Sequence, residues 1–204
     1  MLAILSLIVL FFSIMLHEIA HGSVALQLGD PTAKYAGRLS LNPIKHIDPF
    51  GTIILPALLL LLTAGQGPII GWAKPVPINP FNFRDQRWGA LKVSLAGPAM
   101  NFLVAVLFGL AIRFIVLPEP VLLLFGIIVI YNFAWGIFNL IPIPPLDGSH
   151  ILFSLLPSQF DKLKMFLRQY SLFILVFFIF LGLNWIFRGA SLLFTLVTGQ
   201  NFLF

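Results

Sequence analysis

His17-Glu18-Ile19-Ala20-His21 lies toward the end of an apolar run long enough to cross a membrane. On a helix, His17 and His21 are one turn apart and share a face, so two imidazoles can hold one metal ion. Glu18 stands beside the first of them, where a carboxylate can take a proton from a metal-bound water. From Leu2 to Leu16 the run carries no charged residue. Ionisable groups at membrane depth are costly and tend to be functional. A lone buried histidine is more often a hydrogen-bonded structural residue. Two histidines and a glutamate together in hydrocarbon would each need a partner, and a shared metal ion meets that need.

The 204 residues are 59% hydrophobic and 9% charged, whereas soluble domains carry about 25% charged residues. The composition therefore predicts a polytopic membrane protein embedded in the lipid bilayer. A single integral-membrane unit over 1–204 is expected, with a core of about 2–148 and C-terminal helices of about 150–204. Cysteine is absent, so any metal must be held by histidine and carboxylate. The net charge of +5 is scattered between spans with no polar face to line. It argues against nucleic acid and reads as a topology signal. The N-terminus has no basic n-region or small-residue cleavage site, so it is expected to stay as the first span.

Five apolar stretches follow one another, at about 2–28, 50–62, 88–117, 121–138 and 167–187. A span needs roughly 20 residues at 1.5 Å each. The second, interrupted by Gly51 and Pro56, falls short. Let side A be the side where the first span ends, and let the second stretch dip in and return. Lys34, Arg38, Lys45, Lys74, Arg84, Arg87, Lys92, Lys162, Lys164 and Arg168 then lie near side A, with only Arg113 and Arg188 opposite. By the positive-inside rule side A is cytoplasmic. The segment from Gly67 to Pro77, with prolines at 68, 75 and 77, reads as extended rather than helical. Extended backbone at membrane depth must be buried in protein or line a wet cavity. The expected fold is an all-α polytopic membrane protein: a three-span core, a re-entrant or extended embedded segment, and one or two extra C-terminal helices. His17, about 22 Å along the first helix, would sit roughly 8 Å below the cytoplasmic edge, within reach of water.

A catalytic zinc usually takes three protein ligands and keeps one position open. Asp147 stands out among the remaining acids, because Pro142, Pro144 and Pro145 break the fourth span and hold the chain extended just before it. The same residues also suit a loop with a turn aspartate before Gly148. His150 is the rival third ligand, and His46 reads as a loop or supporting residue.

HEIAHG, AGPAMN (residues 96–101), NLIPIPPLDG (139–148) and GWAKPVPINP (71–80), in that set, resemble the site-2 protease family of intramembrane zinc metalloproteases. The resemblance covers most of the chain from His17 to about Gly148. It implies one Zn2+ per chain on His17, His21 and Asp147, with Glu18 as catalytic acid/base and a core of the first, third and fourth spans. No PDZ-like or CBS-like region is visible, which suits a minimal form. Gly97-Pro98 reads as a packing notch or kink in the third helix.

Asn101 and Asn139, primary amides in hydrocarbon, are candidates for binding substrate backbone or polarising the scissile carbonyl, and a structural interhelical hydrogen bond suits them equally. The function implied is hydrolysis of peptide bonds within or near transmembrane segments of other membrane proteins, at the cell membrane, from a site opening toward the cytoplasm. The substrate would unwind and pair as an added strand, with residues 36–41 the favoured edge and 30–49 or 67–80 the wider candidates. A metal transporter and a scaffold with structural zinc remain the alternatives. Ser6 and Ser13 are the only polar residues in the lower first helix, which is poor in ligands for transport, and a structural site has no use for Glu18. Whether 190–204 forms an interfacial helix or a short further crossing is left open, as is oligomeric state.

Overall fold

The computed structural model describes residues 2–63, 71–86 and 88–201. Arg87 and residues 64–70, which include the Gly67-Pro68 start of the expected extended segment, lie outside the described residues. Helices dominate, and no strand occurs among the described residues. Four helices are long and apolar enough to cross a membrane: α1 (Leu2–Gln27), α4 (Gly89–Phe114), α5 (Glu119–Asn139) and α8 (Ser171–Thr198). Between them lie the short α2 (Thr32–Tyr35), α3 (Leu55–Leu62), α6 (Asp147–Leu155) and α7 (Asp161–Gln169). The protein is an all-α polytopic membrane protein.

Helices α1, α4 and α5 pack on one another, and α8 joins through α4 and α5. Small residues make this possible, since lipid tails give no hydrophobic drive between helices and close backbone approach must do so instead. A Cβ on Gly109 would come within 2.7 Å of Val197, and one on Gly136 within 3.0 Å of Phe102. The core joins Ala105 and Ile112 of α4 and Val129, Ile130 and Phe133 of α5 to Ile186, Ala190 and Phe194 of α8. Helix α5 starts with Glu119 and Pro120 in its first turn, where a carboxylate and a missing N–H are both favourable. It stops at Asn139 because Pro142, Pro144 and Pro145 follow.

The short second stretch is a π-helical turn, Pro49–Ile54, running into α3. The Asp48 carboxylate caps it by accepting from the N–H groups of Phe50 and Gly51. By residue 72 the chain is back beside its start: Trp72 N–H donates to Gly51 C=O, Thr52 Oγ1 donates to Trp72 C=O, and Lys74 N–H donates to His46 C=O. The element therefore leaves and returns at the same end. The contact is close enough to require glycine, as a Cβ on Gly51 would fall 2.2 Å from the Trp72 indole.

Two expectations change. Residues 36–41 are not a strand edge: α2 precedes them, Arg38 N–H donates to Ala33 C=O, and Gly37 sits at φ +65°, a turn conformation. The last span is longer than 167–187. Helix α8 runs 28 residues through Arg188 to Thr198, because Ala190, Phe194 and Thr198 are buried on its packed side while the Arg188 guanidinium lies over the Trp185 ring. Residues 190–198 thus continue the helix. Gly199, at φ +73°, ends it with a left-handed cap.

Candidate metal centre

The structure brings His17, His21 and Asp147 together. Nε2 of His17 lies 3.0 Å and Nε2 of His21 3.2 Å from Asp147 Oδ2, and the two Nε2 atoms are 2.9 Å apart. Both histidines are buried. They come from one face of α1, one turn apart. Asp147 is delivered as the first residue of α6 after the proline run, and α6 docks on α4. Gly148 lets that turn close, since a Cβ there would meet Leu140 C=O at 2.2 Å.

Hydrogen bonds determine which nitrogen of each ring carries the proton. His21 Nδ1 lies 2.7 Å from Val93 C=O, an acceptor only, so Nδ1 is the protonated atom. His17 Nδ1 lies 2.6 Å from Asn101 Oδ1. Asn101 cannot be turned round, because its Nδ2 donates to Ser13 C=O and to Asn132 Oδ1. Asn132 is locked in turn, donating to Ile128 C=O and Ser13 Oγ. His17 therefore also carries its proton on Nδ1. Both Nε2 atoms then present lone pairs to the Asp147 carboxylate, whose Oδ2 is buried with no hydrogen-bond donor.

Three electron-pair donors facing one another can share a metal cation between them. Two imidazole nitrogens and one carboxylate oxygen, with no thiolate, suit zinc. The 2.9–3.2 Å separations are close to the edge of about 3.3 Å that a tetrahedron with 2.0–2.1 Å bonds would have. The donor set fits the ion.

Gly97 forms the wall of this cradle. A Cβ on it would lie 2.3 Å from His21 Nε2 and 2.5 Å from His17 Nε2. The pairing of Gly97 with Pro98, expected as a kink or packing notch, is thus placed against the two imidazole nitrogens themselves.

Glu18, one residue on from His17 and so about 100° round the helix, faces another element. Its Oε2 accepts the Val76 N–H at 2.8 Å. Val76 belongs to the extended segment 71–79, which climbs beside α1. Gly22 admits that segment, because a Cβ there would come within 2.8 Å of Val76 and 2.7 Å of Leu39. Asp30 anchors its far end, accepting from Asn79 N–H, Asn82 Nδ2 and Thr32. Burial pushes the Asp30 carboxyl up, but these hydrogen bonds outweigh it and hold the group below the usual carboxylate range.

Asn101 is fully buried behind His17 with its amide engaged on both atoms. Asn139 is buried near the end of α5 and donates to Trp135 C=O. His150 is exposed on α6 and outside the ligand group. His46 is buried in a turn, bonded through Nε2 to Ser40 C=O, remote in its contacts from the centre. Asn132, Val93 and Val76 take part in positioning and are not singled out from sequence, and Ser13, read from sequence only as a lone polar residue, joins them. Asn132 could have been singled out, since it lies seven residues before Asn139 and on the same helix face.

Known proteins resemble this chain over much of its length. The model of Peptidase family M50 matches residues 116–182, which include Asp147. Bacillus subtilis YwhC is 42% identical over 74% of this chain and 68% of its own length, and Mycobacterium tuberculosis Rip2 is 32% identical over 90% and 70%; both are provisionally named zinc metalloproteases. Methanocaldococcus jannaschii MJ0392, named a zinc metalloprotease, is 26% identical over 77% of this chain and 36% of its own. No solved structure matches. The chain belongs to Peptidase family M50, the site-2 protease family, and is a membrane zinc metalloprotease.

Proposed function

We propose that this chain hydrolyses peptide bonds within or near transmembrane segments of other membrane proteins, with one zinc on His17, His21 and Asp147 and Glu18 as the acid/base. The observation that carries the reading is the convergence of three buried lone pairs at one point, two of them, like Glu18, on a helix of membrane-spanning length. Bound there, zinc supplies Lewis-acid polarisation of a carbonyl and makes water acidic enough to deprotonate near neutral pH.

The chain's own residues do the rest. Asn101 and the Val93 carbonyl hold the two rings with Nε2 inward, a role that fits Asn101 better than contact with substrate. Glu18 takes a proton from the attacking water and gives it to the leaving amine, and the Val76 N–H fixes the carboxylate while it does so. Asn139, higher on the same face of α5, is the asparagine left to meet substrate backbone.

A helical substrate hides its carbonyls, so it must unwind to be cut. The extended segment 71–79 is the template for that state, in place of residues 36–41. It runs past Glu18, and its Trp72 and Lys74 N–H groups already donate to Gly51 and His46. Pro75 and Pro77 carry no N–H, so the segment offers an arriving strand mainly carbonyl acceptors.

The domain reading stays as one integral-membrane protease unit over 1–204. The basic residues around α2 and α7 support a site that opens toward the cytoplasmic face of the cell membrane. The test is cleavage of a single-span substrate in lipid by wild type and Glu18→Gln, each with its zinc determined. Cutting by wild type alone, with about one zinc in both, supports the reading. Zinc in both and cutting by neither returns the chain to the scaffold or transporter class.

A further inference from the structure

Between α1 and the re-entrant element lies a cavity of about 90 Å3. Leu7, Leu10, Phe11 and Ile14 of α1 form one wall, and Thr52 and Ala73 line the other. Leu7, Phe11, Ile14 and Glu18 fall on one helix stripe, at successive steps of four, three and four residues. The apolar wall therefore runs up to Glu18. The opposite wall does so too, because the extended segment passes from Ala73 to Val76, whose N–H bonds the Glu18 carboxylate. Three extended residues cover about 10 Å. About 10 Å along a helix is roughly seven residues, the step from Phe11 to Glu18. The cavity and Glu18 thus lie in register between the same two elements.

The cavity suits a carbon chain. The Thr52 hydroxyl on its wall is already engaged, donating to Trp72 C=O and accepting from Asp48 N–H. An apolar cavity stays dry, and one of about 150 Å3 takes benzene. A volume of about 90 Å3 fits a branched aliphatic side chain better than an aromatic ring. The mouth is open, with Gly71 and Trp72 exposed and Leu7, Leu10 and Phe11 half-buried. On the scale that puts His17 roughly 8 Å below the membrane edge, Phe11 lies about 17 Å below it, near the mid-plane. A substrate segment at that depth is still part of its apolar span.

We infer that this cavity is a specificity subsite, taking a branched aliphatic side chain of the substrate on the side of the scissile bond deeper in the bilayer. The inference rests on the hydrolytic reading and on a substrate extended along 71–79. Ile14 and Leu7 lie about 6 and 16 Å from Glu18 along the helix, which an extended chain covers in roughly two to five residues. The occupant is substrate rather than a lipid tail because the walls that form the cavity are the two that hold Glu18.

The experiment compares single-span substrates in lipid that carry Ala, Leu or Phe at each of those positions. Wild type, Leu10→Ala, which enlarges the cavity, and Leu10→Phe, which fills it, are measured for kcat/KM and zinc content. At one position wild type should favour Leu over Phe by about tenfold or more. Leu10→Ala should erase that preference, Leu10→Phe should move it to Ala, and zinc should stay unchanged. A leucine analogue bearing a diazirine at the same substrate position, bound to Glu18→Gln, should crosslink to residues 7–14 or 71–73. If Leu10→Phe misfolds, Leu7→Ala and the crosslink decide. Variants that slow every substrate by one factor overturn the inference and leave the cavity a packing defect. Preferences that follow the acyl-chain length of the lipid rather than the substrate residue overturn it too, as does a crosslink elsewhere. A wild type no faster than Glu18→Gln refutes the hydrolytic reading itself, which the crosslink, needing no cleavage, keeps distinct.

Discussion

Asn101 Oδ1 lies 2.6 Å from His17 Nδ1, while Asn101 Nδ2 is pinned by Ser13 C=O and Asn132 Oδ1. The network crosses three helices and leaves the imidazole one orientation and one tautomer. Outer partners of this kind typically alter metal affinity or activity by about 10- to 100-fold. Asn101→Leu should weaken zinc binding by a factor in that range, measured by competition with a chelator, with a larger loss than Asn139→Leu. Equal zinc affinity in wild type and Asn101→Leu would remove Asn101 from the positioning of His17.

Gly97→Ala tests the wall of the cradle. In an exposed helix the change would add stability of roughly 1 kcal/mol, but here the new methyl falls 2.3 Å from His21 Nε2. The variant should fold with unchanged helicity and lose zinc and activity together. Full zinc occupancy in Gly97→Ala would show that the rings can move aside.

Val76→Pro removes the one N–H that Glu18 is seen to accept, in a segment that already holds Pro75 and Pro77. General acid–base catalysis contributes typically 10²- to 10⁴-fold, and a loosened carboxylate should lose about tenfold of it. Zinc content should stay at the wild-type level, which separates this variant from Gly97→Ala. Unchanged kcat would mean that Glu18 needs no help from the extended segment.

Asp30 ties that segment to the end of α1, and its carboxyl is held below the usual range. A depressed folded-state value means the contribution is present above the ordinary carboxylate value of about 3.9 and is lost as pH falls through the depressed one. The anchor should therefore be intact at neutral pH and fail only in strong acid. Asp30→Ala orphans the donors of Asn79 and Asn82, at about 1–3 kcal/mol for each that stays buried. Limited proteolysis within 71–86 should speed up accordingly at pH 7, and an unchanged rate would contradict the anchoring role.

The meeting of His17, His21 and Asp147 was legible because its cues are local. His17 and His21 declare a shared helix face by spacing alone, and three prolines before Asp147 mark where α5 must stop. A second stretch too short to span also suggests that the chain turns back, and Trp72 does lie beside Gly51. What stayed hidden depends on partners distant in sequence. Gly97 looks like any helix notch until the two imidazoles lie against it. Asn132 and Ser13 carry no motif, and their role appears only when α1 and α5 meet. Residues 36–41 look extended, but α2 and the positive φ of Gly37 turn the chain at their start. Arg188 suggests a helix end, yet burial of Ala190 and Phe194 carries α8 past it.

The most direct test of the centre is X-ray absorption at the zinc edge on the purified, zinc-loaded chain. It should show one zinc per chain, with about two imidazole nitrogens at roughly 2.0–2.1 Å and the remaining ligands oxygen. Asp147→Ala should keep the imidazole signal while losing an oxygen and most of the affinity. A spectrum with fewer than two imidazoles, or one that Asp147→Ala leaves unchanged, would contradict the centre built from His17, His21 and Asp147.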